Sequence, residues 1–100
     1  MNNILLEYLE FGSDNGLSIK DYFQNQPYKG QKAIAEYLRR GHAKMSAPGC
    51  SYDVVSGEMI SASLDILTDG EYSWDSSLSY YVEKYNMRLP KEFEEKALGI

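Results

Sequence analysis

One histidine and one cysteine stand eight residues apart, His42 and Cys50. A thiol beside an imidazole can serve as nucleophile and base. Neither residue sits in the sequence context of a cysteine hydrolase. The plain reading is a histidine at a strand start and a cysteine in a turn. Asp65, Asp69, Glu71 and Asp75 are close in sequence, but their spacing fits no calcium loop. The chain has no Gly-rich phosphate loop, nucleophile elbow or paired-cysteine motif. Lys29, Lys32, Arg39, Arg40 and Lys44 form a basic run that could meet phosphate. Glu36 interrupts it, and Arg39 and Arg40 suit the last turn of a helix, where cations complement the dipole. A different set is more informative: Asp53, Glu58, Asp65, Asp69, Glu71 and Tyr72. These fall on the strands and turns of an expected sheet. An exposed acidic sheet face with a tyrosine would suit a cleft lined by lysine and arginine. The plainer role of such acids is solubility.

The elements that would position these residues can be read in order. Residues 2–11 predict a helix with Ile4, Leu5, Tyr8 and Leu9 on one face, ended by Gly12. Ser18 to Asp21 fits a capping box that opens a short helix, and Asn25 to Pro27 breaks it. A third helix is expected over about 29–40, with Ile34, Tyr37 and Leu38 inward and Gly41 at its left-handed end. Strands follow at 42–46 and 51–55, separated by a Pro48-Gly49 turn. Ser56-Gly57 is a hairpin connection. The longest strand runs from Met59 to Leu67. There Ile60, Ala62, Leu64 and Ile66 alternate with Ser61, Ser63 and Asp65, the pattern of one buried and one wet face. Glu71 to Trp74 adds a fourth strand.

The stretch from Leu67 to Phe93 holds the only tryptophan and four of the nine tyrosines. Thr68-Asp69-Gly70 is a turn signal. Asp75, Ser76 and Ser77 are good helix N-caps. Leu78, Tyr81, Val82 and Tyr85 then form one helical stripe. Asn86 can take the left-handed end, and Pro90 suits the first turn of a last helix carrying Phe93, Ala97 and Leu98. The whole predicts one α+β domain over residues 1–100. It is an antiparallel meander of three or four strands, flanked by N-terminal and C-terminal helices.

The same stretch resembles the C-terminal half of small bacterial immunity proteins encoded beside contact-dependent growth inhibition toxins and other polymorphic toxins. The residues that carry the resemblance are Thr68, Asp69, Gly70, Tyr72, Trp74, Leu78, Tyr80, Tyr81, Val82, Tyr85, Leu89, Pro90 and Phe93. It spans roughly Pro48 to Phe93, more weakly before Ile66. The family pattern has Trp at the position of Tyr72 and Pro at the position of Asp75. Tyrosine keeps a large ring, and aspartate is as suitable as proline at a helix start. The resemblance implies a protein that binds the toxin's C-terminal domain and neutralises it, with no catalysis and no cofactor. The expected toxin is a basic nuclease, an RNase A-like ribonuclease in the specific form.

Composition agrees with a protein partner. The net charge is −5, with 43% hydrophobic and 13% aromatic residues. Residues 47–86 carry seven acids against Lys84 alone. That disfavours direct nucleic-acid binding and favours a basic partner. One cysteine allows no intramolecular disulfide. No stretch has the pattern of a signal peptide or a membrane span, so the cytoplasm is the expected location. The competing reading is a small enzyme or ligand-binding domain with a pocket between sheet and helices. It would use His42, Cys50 or the acids near Asp69.

Overall fold

The structure is a computed structural model that describes residues 3–100. Its elements are β1 (Ile4–Leu5), a 3-10 turn (Leu9–Phe11), a second 3-10 turn (Ile19–Tyr22), α1 (Gln31–Arg39), β2 (His42–Tyr52), β3 (Met59–Thr68), β4 (Tyr72–Asp75), α2 (Leu78–Tyr85) and α3 (Lys91–Leu98). The sheet order is β1-β4-β3-β2. The fold is α+β, as expected, with three α-helices among the described residues. The sheet is mixed, however. β2, β3 and β4 form the antiparallel meander, but β1 pairs with β4 in parallel, Ile4 beside Tyr72 and Leu5 beside Ser73.

This parallel strand replaces the helix expected over 2–11; of that span, residue 2 lies outside the described residues. The amides of Ile4 and Leu6 donate to the carbonyls of Glu71 (2.8 Å) and Ser73 (2.9 Å). The sheet edge thus supplies partners that an isolated helix would have to find within itself. Leu6 and Tyr8 are buried and Glu7 between them is exposed, a period of two that the helical spacing of Ile4, Leu5 and Tyr8 had masked. Ser18 does cap the next turn, accepting from the Lys20 amide. Asp21 does not close the capping box. Glu10 comes from outside the turn, accepting from Ser18 Oγ at 2.6 Å and the Ile19 amide at 2.9 Å.

Gly41 has a different reason from the one its position suggested. It does not take the left-handed conformation. A Cβ there would stand 2.7 Å from Trp74 Cζ2 and 3.0 Å from Leu67 Cβ. The residue is small because a ring passes over it. Asn86 does take the left-handed end of α2, with φ 56°.

β2 is one strand and not two. Pro48 and Gly49 are absorbed as an irregularity between the pairs Pro48/Ser63 and Ser51/Ser61. A bulge in an edge strand is where sheets admit proline. The β2–β3 connection is the six-residue stretch 53–58 and not a tight Ser56-Gly57 hairpin. The buried face of β3 also differs. Leu67 pairs with Trp74 and packs on the core, as does Ile60. Leu64 is 43% exposed, and Met45, opposite Ile66, is 65% exposed. Helices cover only the Trp74 side, and β4 pairs with β3 no further than Ile66–Thr68. Beyond that the β2–β3 pair runs on as a two-stranded ribbon.

The core is therefore mostly helical. Ile34, Ala35 and Leu38 of α1 join Leu78, Tyr81 and Val82 of α2, Phe93 of α3, and Leu6, Tyr8 and Ile19 of the N-terminal segment. From the three-stranded meander, Trp74 alone is a fully buried hydrophobic residue. Its indole N–H donates to the Leu38 carbonyl at 3.1 Å, and its ring meets Phe93 edge to face at 5.4 Å. Trp74→Ala should cost about 3–5 kcal/mol in urea unfolding. Trp74→Phe, which keeps a ring but loses the hydrogen bond, should cost clearly less. Unchanged stability in Trp74→Ala would contradict the placement of the ring.

Candidate protein-interaction surface

Asp53 was expected on an exposed acidic face; its side chain is fully buried. It ends β2 and organises the connection to β3. Oδ1 accepts from the amides of Val55 (2.7 Å) and Ser56 (3.0 Å). Oδ2 accepts from the hydroxyls of Tyr80 and Tyr85, each at 2.6 Å. Tyr81 completes the clasp, accepting from the Val54 amide and donating to the Tyr52 carbonyl. Three tyrosines of α2 thus hold the end of the ribbon. Burial alone would raise the Asp53 carboxyl. The hydrogen bonds from Tyr80, Tyr85, Ser56 and Val55 outweigh it and hold the group well below the usual aspartate range.

Asp69 is occupied in the same way at the other end of β3. Its Oδ1 accepts from the amides of Glu71 (2.9 Å) and Tyr72 (2.7 Å), and its Oδ2 from Tyr37 Oη at 2.5 Å. Lys96 Nζ lies 3.1 Å from Asp69 and 2.8 Å from Glu71, and above the Tyr72 ring. Burial again acts upward on Asp69, but the Tyr37 bond and the two amides bring it down to about 2. Burial, with the Asp69 bond, pushes Tyr37 up to about 12. Glu71 is exposed but paired with Lys96, and Tyr72 is half-buried against Phe93. Asp65 is half-buried and accepts from Ser63 Oγ at 2.7 Å. Glu58 is the most freely exposed of the set, 3.7 Å from Lys84 with 73% of its side chain open.

The six expected residues thus fall into two clusters near opposite ends of β3, with Asp65 between them. They do not make one acidic face. His42 and Cys50 share an extended strand, which separates them by on the order of 25 Å. They cannot act as a pair within one chain. Among the described residues, no group of three or more His, Cys, Asp or Glu could hold a metal ion. No helix there is long and apolar enough to cross a membrane.

The feature that sequence reasoning missed is the open ribbon. Met45, Tyr52, Val54, Val55, Met59 and Leu64 are all exposed on β2, β3 and their connection. Met45 pairs with Ile66 and Ala47 with Leu64, two residues apart on each strand, so Met45 and Leu64 share the face opposite to that of Leu67 and Trp74. The signal was available: β2 reads HAKMSAPGCSY, with no apolar alternation to match that of β3. A strand with nothing to bury cannot sit under helices. Exposed aliphatic side chains grouped on one element are the usual mark of a docking surface.

No protein-family model, curated protein or solved structure gives a significant match to the chain.

The clasp makes a prediction in acid. Both Asp53 and Asp69 lie below their unfolded value of about 3.9, so the stability they lend is fully present above it. That stability is lost as pH falls through the folded values, near about 2 for Asp69. The melting temperature should be flat from pH 7 to about pH 5 and drop steeply below about pH 4. Asp53→Asn should cost about 1–3 kcal/mol at neutral pH and show a shallower acid limb. Wild type and variant falling in parallel below pH 4 would show that Asp53 takes no part in the acid transition.

Proposed function

We propose that this chain is an immunity protein that binds and neutralises the C-terminal domain of a cognate polymorphic toxin. It works by protein contact alone, in the cytoplasm, with no reaction and no cofactor. The toxin is a basic nuclease, in the specific form an RNase A-like ribonuclease. The observation that carries this reading is the β2–β3 ribbon. It is clasped to α2 at its far end and presents Met45, Leu64, Met59 and Val55 to solvent, with Glu58 at that end. The residue pattern from Thr68 to Phe93 supports it from the sequence side. Its large residues make the core and its punctuation makes the helix ends. The pattern thus accounts for the frame, and the binding surface lies outside it.

The physical division of labour follows. The aliphatic side chains of the ribbon supply binding energy once a partner covers them. The net charge of −5 draws in a basic domain and speeds encounter. Neutralisation needs only that the bound ribbon block the nuclease cleft or the approach to it.

Co-expression with the toxin domain encoded beside this chain tests the proposal. A stoichiometric complex and loss of toxicity are expected. Full toxicity and no complex would sink it for that pair. Within a complex, Met45→Asp and Leu64→Asp should each weaken binding at least tenfold, and the melting temperature should stay put in Met45→Asp, whose side chain is 65% exposed. The association rate should fall steeply between 50 and 500 mM salt and the dissociation rate should change little. A salt-independent association rate would remove the steering role.

A further inference from the structure

The N-terminal segment exposes a second apolar region, away from the ribbon. Ile4, Leu5 and Leu17 are each between 44% and 48% exposed. They border a groove of about 510 Å³ that runs from β1 to the start of α3. Leu89 and Tyr72 line its inner wall. The two charged residues of the lining are Glu7 and Glu92, and both are exposed. Neither takes part in an ion pair among the described residues, whereas Asp53, Glu58, Asp69, Glu71, Glu83 and Glu94 all do. The groove is thus apolar, with negative charge at its border that no described residue pairs.

Its wall is also a sheet edge. Ile4 and Leu6 turn their amides into β4. Leu5, between them, must turn its amide and carbonyl the other way, out along the groove. Among the described residues, no strand lies beyond β1 in the sheet. An extended chain laid there would find backbone partners, aliphatic walls and two carboxylates together.

We infer that this groove docks an extended segment of a partner protein in which lysine or arginine alternates with aliphatic residues. The aliphatic side chains enter beside Ile4, Tyr72 and Leu89, on the face that Leu6 shares. The cations, at the alternate positions, reach Glu7 on the other face, Glu92 adds charge at the border, and the segment's backbone pairs with Leu5. A volume of about 510 Å³ accommodates a few side chains and not a folded domain. The mode is strand addition, in which backbone bonds give affinity and side-chain pockets give selectivity. The identity of the partner as the toxin rests on the preceding proposal; the chemistry of the segment does not.

The test uses a capped peptide alternating valine or leucine with lysine and arginine. Its counterpart has glutamate in place of each base. Amide shifts of the full-length labelled protein are followed by NMR. The basic peptide should give saturable shifts at Leu5, Leu17, Tyr72 and Glu92, and the acidic peptide none there. The double variant Glu7→Gln/Glu92→Gln should bind the basic peptide at least fivefold more weakly and melt at the wild-type temperature. Equal response to both peptides, shifts mapping elsewhere, or unchanged affinity in the double variant would overturn the inference. So would lysine methyl ester producing the same shifts at the same concentration, which would make the groove a small-amine site. A peptide-free dimer in sedimentation, abolished by Leu5→Asp, would assign the groove to a second copy instead. The two proposals fail separately. A double variant that binds the peptide weakly yet neutralises toxin fully removes the groove from the toxin interface and leaves the ribbon. Intact peptide binding with no toxin complex removes the toxin and leaves the groove.

Discussion

The hydrogen bond from the Trp74 indole to the Leu38 carbonyl joins the two halves of this structure. Leu38 belongs to the last turn of α1, where carbonyls have no helical partner. Both groups are sealed from water. Losing the bond would leave that carbonyl only the longer bond from the Gly41 amide, 3.3 Å, at a cost of about 0.5–1.5 kcal/mol. The ring that reaches Leu38 also fixes its surroundings. It demands a glycine at 41, seats Leu67 beside it, and gives Phe93 and Tyr37 a surface to meet. Sheet, α1 and α3 are thereby set relative to one another through one side chain.

That economy leaves the rest of the sheet free. Only Ile60 and the short stretch of β3 opposite β4 are committed to the core, so the ribbon can extend past the helices with its other aliphatic residues uncovered. Such a ribbon would be marginal by itself. The buried Asp53 carboxylate anchors its far end to α2, with two phenols and two backbone amides on one group. Asp53 and Asp69, expected at the interface, are spent on holding the frame. Leu64, expected on the buried face of β3, is among the apolar residues on offer.

This inversion shows what the sequence could and could not convey. Helix ends and turns are local chemistry, and α1, α2, α3, the Thr68–Gly70 turn and the C-terminal pattern were all readable from it. Which face of β3 is covered is not local. It depends on where Trp74 lands, and a shift of one residue exchanges the two faces. The β1 strand was hidden for a similar reason: its hydrogen-bond partners lie 67 residues away in the chain. Pro48-Gly49 reads as a turn until an edge strand takes it in as a bulge. For the surface, charge and exposure were legible as composition, but whether an acid is free or bonded depends on tyrosines two elements away.

The pairing of β1 with β4 has a kinetic side. β2, β3 and β4 are neighbours in sequence and can zip together early, whereas bringing Ile4 to Tyr72 closes a loop of most of the chain. On this topology the N-terminal segment is expected to dock last and to open first. One wall of the Glu7–Glu92 groove belongs to that segment and the other to the body of the protein. The groove exists only while the segment is closed, so occupancy and closure must reinforce each other by the same free energy.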